Sequence, residues 1–298
     1  LEHPASMSAM KKWAKNTQRN HIIVEHNDDS GSVDEQAYIK KLTSDVRVVS
    51  IVHTSPVTGM TVDLEKITKE VRNVTPDCII IVDGIQHSSH GAIDVQKYDI
   101  DGYVVSPYKM FSRHGYGVAW ASDRLCTLNK EQLADGPFQN WELGTRDAGS
   151  YATFSDVVDY LDWLGSNFTE SENTRERLEA SSIAIKSHEQ ELVDLVINGA
   201  EDIVGLRNNK KIRIIGNSAS TSREGVVSFF HKNKPSRIIV EELRQRKIRV
   251  HIRKDDHYCG NILRPLNQKD CIRFSICHYN SKAEVVEFLR AINEISAN

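Results

Sequence analysis

Cysteine is sparse in this chain: five in 298 residues, an odd number and scattered. That excludes a disulfide framework and favours a reducing compartment, so a cytoplasmic setting is expected. An excess of one charge is lacking too. Lys and Arg total 38 against 41 Asp and Glu, a formal net charge of −3. With no long basic run, neither nucleic acid nor a membrane surface is an expected partner. The apolar run Cys78-Ile79-Ile80-Ile81-Val82 falls far short of the ~20 residues that span a bilayer. No P-loop, no serine nucleophile elbow and no paired-histidine zinc helix occurs in the sequence. Gly115 and Gly117 lack the third glycine of a dinucleotide fingerprint and precede an apolar strand. His257, Cys259, Cys271, Cys277 and His278 fit no standard zinc spacing. Alternate strand positions account for Cys271 and Cys277 as core, so no metal is expected. The chain opens Leu1-Glu2-His3-Pro4 with no initiator Met and no signal-peptide pattern, and reads as a processed or fragmentary product.

What is present is an alternation of short apolar strands and amphipathic helices. The length suits about two domains at ~100–200 residues each. Residues 46–53 read as a strand closed by the turn signal Thr54-Ser55-Pro56. Leu64, Ile67, Val71 and Val74 then share one helical face behind Asp63, a candidate N-cap. Residues 78–82 follow as a nearly all-apolar strand, the kind buried on both faces of a parallel sheet. Strands at 102–106 and 115–120 complete an α/β layer with a mostly parallel sheet. After Asp147 the pattern changes. Phe154, Val157, Val158, Leu161 and Leu164 make a helical stripe that Gly165 is expected to end as its C′ residue. A long helix covers about 173–198. Strands at 212–215, 226–230, 248–252 and 271–276, with helices near 237–246 and 282–295, form an α+β module. The expected division is a cofactor-binding domain over 1–165 and a smaller C-terminal domain over 166–298.

One stretch carries chemistry. Asp83 follows a buried strand at its carboxyl end, where open α/β sheets bind ligands, and Lys109 stands just past the next strand. On spacing alone the two charges could be an ion pair or turn residues. The sharper reading is a pyridoxal-phosphate site, in which a lysine forms the Schiff base and a carboxylate pairs the pyridinium nitrogen.

Asp83-Gly84-Ile85-Gln86-His87, Ser106-Pro107-Tyr108-Lys109 and Gly144-Thr145-Arg146-Asp147 resemble the fold-type-I pyridoxal-phosphate enzymes. The branch they resemble is the class V aminotransferase and cysteine desulfurase group. Cys271-Ile272-Arg273-Phe274-Ser275 and His278-Tyr279-Asn280 match that group's C-terminal domain, so the resemblance covers nearly the whole chain. It implies that Lys109 holds the cofactor, Asp83 its ring nitrogen and Gln86 its phenolic oxygen. It places Ser106 and, where the family often has His, Tyr108 at the phosphate. His3 becomes the residue that stacks on the ring. Thr145 resembles a threonine that reaches the phosphate of a neighbouring subunit, which implies a homodimer. Arg273 resembles the arginine that grips the substrate carboxylate, with Arg253 as a second substrate-binding candidate.

The sequence departs from the family at three places. The segment with a phosphate-anchoring Gly/Thr turn that precedes the stacking histidine is not in this sequence, so a separate N-terminal polypeptide is one expectation. Pro56 stands where desulfurases place an asparagine. The loop His257-Tyr258-Cys259-Gly260-Asn261 only partly matches the desulfurase loop, leaving Cys259 as a candidate nucleophile. The expected function is pyridoxal-phosphate chemistry on an amino acid. Lyase-type cleavage of a β-substituent, carbon–sulfur included, is favoured over transamination, epimerisation or desulfurase chemistry. A non-catalytic subunit with a degenerate fold is the alternative from another class.

Overall fold

The computed structural model describes residues 1–27, 33–137, 140–217 and 219–297. The chain begins with α1 (Pro4–Asn16) and α2 (Glu35–Ile39), then β1 (Val48–Val52), α3 (Leu64–Val74), β2 (Ile79–Asp83) and β3 (Gly102–Val105). Next come β4 (Val118–Ala121), α4 (Asp123–Cys126), α5 (Ala148–Gly165), α6 (Thr174–Asn198), β5 (Gly199–Ala200) and β6 (Ile203–Val204). The last third holds β7 (Ile212–Ile214), β8 (Val226–His231), α7 (Ser236–Gln245), β9 (His251–Lys254), α8 (Gly260–Leu263), β10 (Asp270–Ser275) and α9 (Lys282–Ala297). By contacts the chain forms two compact units. One comprises Leu42–His53 and Leu64–Ser182; the other comprises Leu1–Lys41, Thr54–Asp63 and Ile183–Asn298. One boundary therefore falls inside α6, and both the first 41 residues and ten residues after β1 belong with the C-terminal half.

In the first unit β1, β2 and β3 run parallel in that order, and β4 closes the edge antiparallel to β3. This is the mostly parallel α/β sheet that the apolar strands predict. Ile51, Ile80 and Val82 are wholly or nearly wholly buried, as are Leu64, Ile67 and Val71 on the inner face of α3. Each such side chain contributes about 1.5–3 kcal/mol on leaving water. Asp101, 2% exposed, fixes the entry to β3: it accepts the Ile80 N–H at 2.8 Å and a hydrogen bond from Arg72 at 2.9 Å, and pairs with Arg124 at 2.7 Å. Burial pushes its carboxyl up, but hydrogen bonds from Arg124, Ile80 and Arg72 outweigh it and leave it below the usual carboxylate value. Gly165 is not the left-handed C′ residue that the sequence suggests. It is the last residue of α5, and a Cβ there would lie 1.9 Å from the Arg177 carbonyl oxygen. Close approach of backbone, rather than a positive φ, selects glycine at this position.

The second unit carries a four-stranded antiparallel sheet in the order β7-β8-β10-β9. Phe229, Ile272, Ile239, Leu243, Phe288 and Ile292 form its core, drawn from the sheet, α7 and α9. The strand expected at 248–252 begins later, at His251. The chain first closes α7 with a six-to-one hydrogen bond from Ile248 N–H to Leu243 O and puts Lys247 at φ 64°. That cap normally takes glycine, so the sequence carries no flag for it. The segment Thr54–Asp63 is stitched to β8. Gly59, at φ 77°, has room for no Cβ because the Val226 carbonyl oxygen would be 2.1 Å away. Arg223 donates to Thr58 O at 2.9 Å, and Ser228 Oγ donates to Val57 O.

His231 closes β8 with Nδ1 accepting the N–H groups of Asn233 (3.1 Å) and Lys234 (2.9 Å). Burial, then Lys211 and Lys234, lowers its pKa, so the folded state favours the neutral ring more than the unfolded chain does. An unfolded histidine titrates near ~6.5. Above that pH both states are neutral and stability is full. As pH falls below it only the unfolded chain gains a proton, and stability drops until the native ring also titrates. Denaturant unfolding should therefore show wild type losing stability as the pH falls below about 6.5 relative to His231→Asn, which keeps an acceptor at the Nδ1 position. Parallel pH profiles for the two proteins would refute the assignment.

Among the described residues no helix is long and apolar enough to cross a membrane. No group of His, Cys, Asp and Glu among them could hold a metal ion.

Candidate active site

The site in the first unit is built from two adjacent parallel strands. Asp83 is the last residue of β2 and pairs with Val104 of β3, so the segments leaving both strands emerge side by side. A short 3₁₀ turn, His87–Ser89, follows the first, and another, Pro107–Met110, follows the second. Ser106 is the N-cap residue of the latter, and its carbonyl accepts Lys109 N–H at 3.0 Å. The two turns bring Lys109 Nζ to 2.8 Å from Gln86 Oε1. Asp83 Oδ1 accepts the Ile85 N–H at 3.1 Å and so holds the loop that carries Gln86. Gly84 is required here, since a Cβ would lie 2.1 Å from the Tyr103 ring.

Phe111 sits at φ 72°, a left-handed conformation that is strained for a bulky side chain. It ends the turn bearing Lys109, with Ser112 N–H donating back to Pro107 O at 3.1 Å. The reversal lays His114 on Tyr108, ring centroids 4.2 Å apart and planes 19° from parallel. Tyr108 is thus part of an exposed aromatic pair. Thr145 is exposed before α5, and its hydroxyl makes no hydrogen bond to another described residue.

Sequence reading missed a buried aromatic group beneath this site. His53, one residue past β1, stacks on His87 with centroids 3.6 Å apart. Its Nδ1 lies 2.9 Å from the Tyr103 hydroxyl, and His87 Nε2 donates to Ala92 O at 3.1 Å. His90, 3% exposed, touches Gln86. The available signal was the run of polar residues 86–90 shortly after an apolar strand. A surface loop explains such a run equally well from sequence.

The second unit gathers the substrate-side candidates. Arg253 of β9 pairs with Cys271 of β10, and Arg273 pairs with His251 on one side and Ser228 on the other. Directly opposed residues share a face and alternate residues along a strand do too. Arg253, Arg273 and His251 are therefore on one face. Arg273 donates to the Pro56 carbonyl at 2.9 Å, which orients its guanidinium. Burial and then the charges of Arg273, Arg253 and Arg249 lower the pKa of His251. The face is positive, as carboxylate recognition requires. Cys259 is 2% exposed at the start of α8. Burial raises its pKa, ahead of the opposing pull of Arg253. His3 caps α1: its Nδ1 accepts Ala5 N–H at 3.2 Å, and its ring lies 5.9 Å from that of Tyr258.

The sequence pattern of the family described as aminotransferase class-V matches residues 1–288. The chain belongs to that family. Its members are pyridoxal-phosphate enzymes. Among curated relatives, a probable cysteine desulfurase of Pseudomonas putida is 23% identical over 99% of this chain and 69% of its own length. One from Treponema pallidum is 23% identical over 90% and 63%. The aminotransferase-like protein FGM3 of Gibberella zeae is 26% identical over 85% and 60%. The chain thus spans about two thirds of the length of these relatives. In structure it is similar to the apo cysteine desulfurase of Thermococcus onnurineus, with a TM-score of 0.79 at 20% identity over 99% of this chain and 71% of the other. The Escherichia coli desulfurase CsdA gives 0.76 at 21% identity over 98% and 69%. These similarities establish the fold-type-I architecture of the family.

The donor set fits the family's cofactor. A primary amine stands at Lys109, a carboxylate at Asp83, an amide at Gln86 and a hydroxyl at Ser106. All four are carried on the ends of two neighbouring strands. An aldehyde, a ring nitrogen, a phenolic oxygen and a phosphate call for those groups respectively.

Proposed function

We propose that the chain acts on an amino acid, with pyridoxal phosphate attached at Lys109 and the substrate carboxylate bound by Arg273. The observation that carries this reading is the Lys109–Gln86 pair, 2.8 Å apart at the strand ends beside Asp83. Asp83 keeps the ring nitrogen protonated, Gln86 faces the phenolic oxygen, and Ser106 with Tyr108 serves the phosphate. His3 is assigned to the ring face and Arg253 supports Arg273. Bound there, the cofactor supplies an electron-withdrawing ring that weakens the bonds at the substrate's α-carbon.

The chain's own groups divide the remaining work. Arg273, steadied by the Pro56 carbonyl, holds the carboxylate and so presents the α-carbon. Lys109 Nζ, as an amine, would take the α-proton as general base. Gln86 Oε1 accepts from Nζ and fixes where that nitrogen stands. Loss of a β-substituent is the outcome we favour, because the group a desulfurase would need is ill suited to it. A sulfur-attacking thiolate must be exposed and of lowered pKa. Cys259 is buried and its pKa is raised. Desulfurase chemistry remains the second reading, supported by the relatives' names. Thr145, exposed ahead of α5, is assigned to the phosphate site of a second copy in a two-fold dimer.

A product screen by mass spectrometry over single amino acids, with pyridoxal phosphate added, tests the class. Release of pyruvate or another keto acid together with the β-substituent supports it, and a colourless protein with no product sinks it. Cys259→Ala separates the two readings. Alanine is preferred over serine because a hydroxyl at so buried a position would need a partner. The variant should keep at least about a third of wild-type turnover, a barrier change below about 1 kcal/mol. No persulfide should form on Cys259 when wild type meets cysteine. Abolished turnover with a persulfide on that residue makes the enzyme a desulfurase.

A further inference from the structure

Gln86 is 8% exposed and has one acceptor and one donor group on its amide. Lys109 is a donor and takes Oε1 at 2.8 Å. The amide nitrogen then faces His90 Nε2 at 3.0 Å. Since the amide nitrogen only donates, His90 Nε2 must accept, and the ring proton of a neutral His90 sits on Nδ1. His90 is itself held from behind, its N–H donating to His87 O at 2.8 Å. Turned over, the amide would point its NH2 at the Lys109 ammonium and its oxygen at a lone pair. The first contact is repulsive, and the second is relieved only if the imidazole moves its proton to Nε2.

We propose that His90 is a positioning residue that locks the Gln86 amide with its oxygen on Lys109 Nζ. It acts through Gln86 and touches neither cofactor nor substrate. The inference rests on the proposed role of Lys109 and extends it by one link. Without the His90 acceptor, one buried N–H goes unpaired and the Lys109 contact alone orients the amide, so the Gln86 oxygen is held less firmly on Nζ.

The test uses full-length protein with added pyridoxal phosphate, reading the visible absorption of the bound cofactor and its release rate on dilution. His90→Phe keeps an aromatic ring without an acceptor, and His90→Leu, smaller than the imidazole, is measured beside it. His90→Gln returns an acceptor oxygen near the place of Nε2. His90→Phe and His90→Leu should shift the band and speed release about tenfold, the effect of losing one hydrogen bond. His90→Gln should stay within about twofold of wild type. In a Gln86→Met background, His90→Phe should add nothing, because the residue it acts through is gone. An unchanged band and release rate in His90→Phe and His90→Leu overturn the proposal. So does equal damage in His90→Gln, or a full additional effect in the Gln86→Met background. A wild-type chain that never develops the band overturns the proposed function along with it, whereas a normal wild-type band with indifferent His90 variants overturns this inference alone.

Discussion

Lys109→Ala should release pyridoxal phosphate on gel filtration, leave no visible band and cut turnover by about 10⁴-fold, the upper end of what a positioned general base contributes. The loss combines two roles in one nitrogen. The amine attaches the cofactor, and the same amine later takes a proton from the substrate. Lys109→Arg is the informative control. It keeps the positive charge beside Gln86, but a guanidinium is permanently protonated and forms no imine under these conditions. Both variants should therefore be inactive while retaining the wild-type fold by circular dichroism. Borohydride treatment of the wild-type protein should fix the cofactor on the peptide that contains Lys109. Label on another lysine, or turnover surviving in Lys109→Ala, would falsify the assignment.

Asp83→Asn should separate attachment from catalysis. Asp83 does two things: its Oδ1 receives the Ile85 N–H at 3.1 Å, and it places a negative charge at the end of β2. Asparagine keeps an acceptor for Ile85 and removes only the charge. The variant should still bind the cofactor through Lys109, because the loop that carries Gln86 is intact. Turnover should fall about 10²–10³-fold, the scale for removing one preorganised electrostatic partner. Asp83→Ala removes the turn bond as well, so it should add a loss of thermal stability on top. If Asp83→Asn turns over at the wild-type rate, the residue is a turn element and the ring nitrogen has no anionic partner here.

Much of the fold was legible because periodicity reports burial directly. The nearly all-apolar 78–82 run reads as an inner strand, and the 3.6-residue stripe from Leu64 to Val74 reads as a helix with one buried face. The position of Asp83 followed from the first of these and that of Lys109 from the strand at 102–106, and the ordered motifs carried the resemblance to the family. Sequence also exposed the deviations: Pro56 for asparagine, Tyr108 for histidine and the imperfect loop around Cys259. These are local properties, carried by residue type and spacing.

Other features depend on contacts between residues distant in sequence, and local pattern carries no record of them. Gly165 looked like a helix terminator, but the backbone of Arg177 chose it. Lys247 takes a left-handed cap that glycine usually marks, so the start of β9 was misplaced. Ten residues after β1 join the C-terminal unit, an excursion that Arg223 and Ser228 secure from 165 and 171 residues away. Strand register, not spacing, puts Arg253, Arg273 and His251 on one face, because a shift by one residue would turn each to the other side. Cys259 could equally have been an exposed nucleophile, since a thiol's exposure and pKa are set by what packs over it. Likewise, nothing in the order Gln86, His87, Ser88, Ser89, His90 reveals that Gln86 lies between Lys109 and His90. That depends on two turns meeting at the ends of neighbouring strands, and only tertiary packing brings them together.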